Sequence, residues 1–441
     1  MKTSSLLLSL LLCLASSVGA QEVASPGAPS GEVRARKSVA LNPAIAERLL
    51  RANALLEKDH TDDALDVIDE LAGLRRLGPA DVAQIHRFRG YILVSKGDSA
   101  TAAQEFETSL AQNALDDAAR LGMTYSLAQI YTQTGRYDRA LELIDDWFET
   151  AERPKPDAYF LKAMILVQQE KFAEALAPAR TAIENSAQDR ESWLQLLAAI
   201  QFELHDYAAV ASALQRLVVV APKTKRYWVQ LASIQNALDE DDEALATLGL
   251  AHRARLLDAD REYRQLARLS FVNELPYRCA QTLEEGISTG VVTADADSYD
   301  LLANCYIAAR ETDRALQPLE RAGELAPEGQ SYLLLGQLHL QRDRFEPARV
   351  ALTKALAKAK PDQRGSIELL LGIAQLGLDR FDDAERSFRA ASGDDKIRSA
   401  AQSYLAHLEQ QRARRDIGRG AGEDSATASA APAAADEELS Q

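Results

Sequence analysis

Apolar residues recur along this chain three and four positions apart, in runs of about a dozen residues broken by short polar turns, the spacing of amphipathic helices. The runs come in pairs, and a small residue opens the second run of each pair, usually after an aromatic and a polar residue. Ala64, Ala102, Ala140, Ala175, Val210, Ala244, Cys279, Ala315, Ala348 and Ala384 hold that position, at successive separations of 38, 38, 35, 35, 34, 35, 36, 33 and 36 residues. Chance does not produce such a series, so the pattern predicts one helical hairpin repeated along the chain. A second series stands twelve positions earlier, in the first helix: Gly90, Ala128, Ala163, Ala198, Ala232, Ala267, Ala303, Gly336 and Gly372. Two helices cross closely only where both present small side chains, so the two series are predicted to face each other.

The other positions support a hairpin of this kind. Trp228 with Leu231 and Tyr299 with Leu302 lead into the small residue, Tyr131 and Tyr306 follow it, and Phe106 and Phe388 fill an outer packing site of the second helix. Pro222 and Pro327 close two repeats, where a helix must stop. The best-formed unit, YSLAQIYTQTGRYDRALELI from Tyr125 to Ile144, resembles a tetratricopeptide repeat, whose nominal period is about 34 residues. That resemblance implies an all-α fold, a right-handed superhelical solenoid of about ten hairpins. Expected boundaries are a leader at 1–20, a disordered linker at 21–40, the repeat array at 41–391, a capping helix at 392–415 and a disordered acidic tail at 416–441. In the capping helix Ala400, Tyr404, Leu405 and Leu408 are expected to share the packed side.

Composition narrows the partners. Hydrophobic residues make up 46% of the 441, and the formal net charge is -16 with a pI near 5.0. Such a surface repels phosphate backbones, which argues against nucleic acid, and it lacks the basic patch that recruits a membrane. Met1 and Lys2 followed by the apolar run Leu6 to Ala15 read as a secretory leader too short to span a bilayer, with cleavage expected after Ala20. Leu12 stands before Cys13 where a lipoprotein signal needs Gly or Ala, so lipidation is not expected. The mature chain is therefore expected in the periplasm, with no membrane insertion. Cys279 and Cys305 either bridge or serve as two small buried apolar side chains; the second is the expectation.

No catalytic constellation and no cofactor are expected. His60, His86, His205, His252, His339 and His407 are scattered, with no pair one helical turn apart to start a metal site. Gly418, Gly420 and Gly422 follow no strand, and acidic pairs such as Asp241–Asp242 and Asp382–Asp383 stand where carboxylates favour a helix N-terminus. What a hairpin array offers is a groove lined by first helices. Helical periodicity places Tyr125, Gln129, Phe160, Met164, Phe202, Asn236, Arg264, Arg268, Phe271 and Asn304 toward it. Phe160, Met164 and Phe202 form an apolar patch for a peptide's anchors, or else pack against neighbouring first helices. Arg264 and Arg268, one turn apart, offer charge to an acidic partner or stay solvated. The Lys and Asn arrangement by which chaperone-binding tetratricopeptide domains hold a C-terminal carboxylate is absent.

Longer stretches resemble a narrower group. ESWLQLLAAIQFELHDY (Glu191 to Tyr207), KRYWVQLASI (Lys225 to Ile234), LPYRCAQTLEEGISTG (Leu275 to Gly290) and YDLLANCYIAARETDRAL (Tyr299 to Leu316) are similar to exported tetratricopeptide proteins of Gram-negative bacteria that accompany TonB, ExbB and ExbD. The chain departs from that group at Val210, Cys279 and Cys305. The resemblance implies a periplasmic protein-binding accessory of TonB-dependent energy transduction. A scaffold for outer-membrane assembly or polysaccharide export is the alternative, and an enzyme hidden in the array a third.

Overall fold

The computed structural model describes residues 41–428; the expected leader and linker, and residues 429–441, lie outside them. Twenty-one α-helices and one short 3-10 turn make up the described chain, with no strand among the described residues. Ten antiparallel hairpins come first: α1 (Pro43–Leu56) with α2 (Thr61–Ala72), α3 (Pro79–Ser95) with α4 (Ser99–Ala111), α5 (Asp117–Gln133) with α6 (Tyr137–Thr150), α7 (Pro156–Gln168) with α8 (Phe172–Glu184), and α9 (Glu191–Glu203) with α10 (Tyr207–Val220). Then come α11 (Lys225–Ala237) with α12 (Asp241–Arg253), α13 (Asp260–Val272) with α14 (Pro276–Ser288), α15 (Ala296–Ala308) with α16 (Thr312–Leu325), α17 (Gln330–Leu340) with α18 (Phe345–Ala357), and α19 (Arg364–Gly377) with α20 (Phe381–Ala391). A terminal helix, α21 (Arg398–Ala428), follows. The chain divides into two compact units within α12, one ending at Thr247 and the other starting at Leu248.

Each hairpin turn is built the same way. One residue enters the left-handed region at every one of the ten: Asp59, Gly97, Gly135, Glu170, His205, Asp239, Glu274, Arg310, Asp343 and Asp379. Each stands five positions before its small marker residue. The next N–H then reaches back across the helix end, as Asp98 does to the Leu93 carbonyl (2.9 Å) and Arg136 to that of Tyr131 (2.8 Å). This closes the first helix and frees the chain to reverse. Asp98 and Asp206 go on to cap the second helix, accepting from the N–H of Thr101 and of Ala209 at 3.1 Å. Pro222 and Pro327 each stand two residues past a helix end, at Val220 and Leu325.

All ten marker residues are completely buried, as the sequence series predicts. At Gly90 and Gly372 in the first helix the second helix fills the space with a phenylalanine, and at Gly336 with Leu352. The Phe106 ring lies directly on Gly90, and a Cβ at Gly372 would meet Cε1 of Phe388 at 2.5 Å. Where the first helix carries Ala128, Ala267 or Ala303, the same register holds the smaller aliphatic Ile144, Leu283 or Leu319. Tyrosines after the small residue anchor one repeat to the one before it. The Tyr131 hydroxyl donates to Glu107 on α4, and that of Tyr306 to Glu284 on α14 at 2.8 Å.

Three findings differ from the sequence reading. Cys279 on α14 and Cys305 on α15 form a disulfide, Cα atoms 5.8 Å apart, joining the second helix of one hairpin to the first helix of the next. Both are fully buried. In α21 the buried positions are Ala401 and Leu408, with Ala400 exposed, since a packed stripe must repeat every seven residues. Tyr404 stacks on Phe388, ring centroids 5.2 Å apart. Backbone of α21 continues as helix to Ala428, beyond the expected end at 415; no proline interrupts the sequence before Pro432.

One helix end is completed by the following hairpin. Lys358, just past α18, donates from Nζ to the carbonyls of Gly323 (2.6 Å) and Ala326 (2.7 Å) at the end of α16. Those carbonyls have no partner inside their own helix.

Candidate functional site

The residues predicted to line a groove divide into three groups. The first is packed. Tyr125 on α5 is buried with its ring 5.7 Å from that of Trp147 on α6, and this burial raises the pKa of its hydroxyl. Phe202 on α9 is 6% exposed and meets Tyr207 edge-on at 5.7 Å. Phe160 on α7, half-buried, stacks face to face on Trp193 of α9 at 5.0 Å, with the Arg190 guanidinium 4.2 Å from the same indole. Met164 and Gln129 are half-buried, and Met164 packs against the cores of its own and the preceding repeat. The apolar patch thus follows the packing alternative: consecutive first helices close on one another and leave Phe202 little surface.

The second group is engaged in polar contacts. Asn236 donates to the Asp241 carboxylate across its hairpin turn at 2.7 Å. Arg264 on α13 bridges two carboxylates, Asp260 at 2.7 Å and Asp295 at 2.9 Å. Its hydrogen bond holds Asp260 below the ordinary carboxylate pKa, and that of Arg216 does the same for Asp189. Arg264 is therefore a strut between α13 and the loop before α15, not a charge offered to a partner.

The third group is open to solvent. Arg268, Phe271 and Asn304 are exposed, Phe271 by 39%, and Arg268 and Phe271 lie one turn apart on α13. These three are what the predicted face presents in the second unit. Nearby chemistry of other kinds is sparse. Among the described residues no three His, Cys, Asp or Glu side chains converge to hold a metal, and no helix is long and apolar enough to cross a membrane. A cleft of about 510 Å³ between α16, α17 and α18 includes His339, whose pKa is lowered by burial and then by Arg344 and Arg342. The acids lining it are paired, Glu320 with Lys354 and Glu346 with Arg349.

Ten hairpins with buried small residues at every crossing define a helical-repeat scaffold. Its family is visible in part of the sequence: residues 49–117 and 93–165 match models of the tetratricopeptide repeat. Over residues 49–165, therefore, the chain is similar to tetratricopeptide-repeat proteins. Over 248 residues it is 27% identical to Protein NPGR2 of Arabidopsis thaliana, a match covering 55% of this chain and 32% of that protein. The chain thus spans about a third of the length of that curated relative. Among solved structures it is similar to a tetratricopeptide protein from Cytophaga hutchinsonii (15% identity, TM-score 0.38, 63% of this chain and 95% of that one). Another, from Parabacteroides merdae, gives 16% identity and a TM-score of 0.34 over 56% of this chain and 93% of that one. YrrB, described as having an unusual peptide-binding site, gives 17% and 0.33 over 40% and 92%.

Proposed function

We propose that this chain is an exported, periplasmic protein–protein interaction scaffold that serves a TonB, ExbB and ExbD energy-transduction system. The scaffold part rests on one observation: the hairpins commit their apolar residues to packing and leave first-helix positions such as Arg268, Phe271 and Asn304 facing solvent. A surface of that kind recognises another chain. Export is supported by the leader-like first twenty residues and by the buried Cys279–Cys305 disulfide, a bond that persists in oxidising compartments. The TonB assignment is supported by the sequence resemblance from about Asp145 to Leu408, and by a net charge of -16 that would steer a basic, Pro-rich periplasmic segment.

Titration with a purified periplasmic domain of a TonB-type protein is the direct test. Binding should appear at low salt and weaken as salt rises. Phe271→Ala combined with Asn304→Ala should reduce it about tenfold, the loss expected when an anchor is truncated. Protein purified from the native host should begin at Gln21. Absence of binding at low salt would sink the TonB assignment, and a mature chain retaining Met1 would sink export.

A further inference from the structure

The second unit carries a second surface, built along the second helix α14. An open groove of about 1,210 Å³ runs along α14, between the last turn of α12 and the turn after α15. This exceeds the roughly 300–1,000 Å³ of small-molecule clefts, so it suits a length of chain better than a metabolite. Leu275 and Tyr277 line it and are 43% and 44% exposed, and the Tyr277 hydroxyl accepts from Arg314 at 3.3 Å while much of its ring faces solvent.

Its charges are unevenly matched. Among the acids lining the groove, Glu284 is held by Arg314 (2.9 Å) and by the Tyr306 hydroxyl (2.8 Å). Glu285 lies 3.3 Å from His252. The cations are otherwise: Arg253 and Arg310 are exposed, Arg278 lies half-buried across Gly249, and among the described residues none of the three has an ion pair or a side-chain hydrogen bond. Glu274, also on the rim, has no ion pair or side-chain hydrogen bond among the described residues. Three guanidiniums beside two exposed apolar side chains stand out on a chain whose net charge is -16. Guanidinium is the side chain best shaped to take a carboxylate through two parallel hydrogen bonds.

We propose that this groove binds an acidic, extended peptide segment of a partner protein, with Arg253, Arg278 and Arg310 taking its carboxylates and Leu275 with Tyr277 taking an apolar side chain between them. The site goes beyond the scaffold reading and is independent of its TonB part, because the two partners would carry opposite charge. A tetratricopeptide scaffold with two such faces would hold a basic segment on its first helices and an acidic one on α14 at the same time.

The test uses the full chain and a fluorescein-labelled peptide alternating Glu with Leu, beside its counterpart alternating Lys with Leu, read by anisotropy. The Glu–Leu peptide should bind, and Arg253→Glu with Arg310→Glu should weaken it at least about tenfold, the size of effect that reversing interface charges produces. Both positions are exposed, so the thermal midpoint should not move; Arg278→Ala gives a milder loss of binding as a second check. Equal affinity of the charge-reversed protein, or equal binding of the Lys–Leu peptide, would overturn the proposal. So would tighter binding by a chain lacking residues 429–441, since its own Asp436, Glu437 and Glu438 would then be the occupant. Loss of the TonB-domain interaction alone would leave the proposal standing.

Discussion

Gly372→Ala isolates the packing rule of the hairpins. Alanine within a helix gains about 1 kcal/mol over glycine through backbone entropy, so in open space this substitution stabilises. At Gly372 the added Cβ would stand 2.5 Å from Cε1 and 2.6 Å from Cδ1 of Phe388, far inside van der Waals contact. Phe388 cannot retreat, being completely buried and stacked on Tyr404 of α21 at 5.2 Å. Overpacking of this kind costs about 1–3 kcal/mol. The steric term therefore wins or breaks even, and a net loss of roughly 0–2 kcal/mol is expected. Urea unfolding gives the size, and hydrogen exchange should place the first loss of protection in α19, α20 and the start of α21. The rescue is specific. Phe388→Leu alone should destabilise, yet combined with Gly372→Ala it should recover stability, because Ala303 with Leu319 already occupies this register elsewhere in the chain. The coupling should reach at least about 0.5 kcal/mol. A more stable Gly372→Ala protein, or strict additivity in the double mutant, would refute the reasoning.

Three further outcomes follow from the same structure. Glu170→Gly relieves a left-handed residue at a hairpin turn and should raise stability by roughly 0.5–1 kcal/mol, whereas Gly135→Ala should lower it by about 1–2 kcal/mol; chemical denaturation reads both. Reducing the Cys279–Cys305 bridge, which spans 26 residues, should cost about 3–4 kcal/mol by the chain-entropy relation, so an unchanged denaturation midpoint in dithiothreitol would contradict a closed disulfide. Asp189 and Asp260 titrate below the ordinary 3.8 because Arg216 and Arg264 donate to them, so their contribution is present above that value and lost as pH falls through the lowered one. Asp189→Asn with Asp260→Asn should flatten the acid limb of stability below the ordinary 3.8, and an unchanged limb would show that these bonds are not retained in solution.

The hairpins were legible because their information is local. A period, a small residue at the crossing and an aromatic before it are all set within one repeat, and every marker from Ala64 to Ala384 is buried accordingly. The binding surface was not, because exposure depends on how closely successive first helices approach. Phe160 and Phe271 occupy comparable faces of their helices, yet one stacks on Trp193 and the other stays 39% exposed. Arg264 read as an available charge until the fold brought Asp295 to it from 31 residues away. The groove along α14 draws on three separate segments, each of which reads alone as an ordinary solvated turn or helix face. The left-handed turns give a partial signal: glycine marks only two of the ten, and the residues at the others include arginine, glutamate and histidine.

The lysine that closes α16 from the next hairpin bears on the order in which the chain acquires its structure. Synthesis proceeds from the N-terminus, and the last turn of α16 emerges before Lys358, which follows Gly323 by 35 residues and Ala326 by 32. Until α17 and α18 have docked, the carbonyls of Gly323 and Ala326 have only water as partner and that turn frays. A nascent chain halted between these points would therefore carry a ragged edge at Gly323 to Ala326, open to proteases. Arrival of Lys358 seals it, which makes this junction a checkpoint between a partial stack and a finished one.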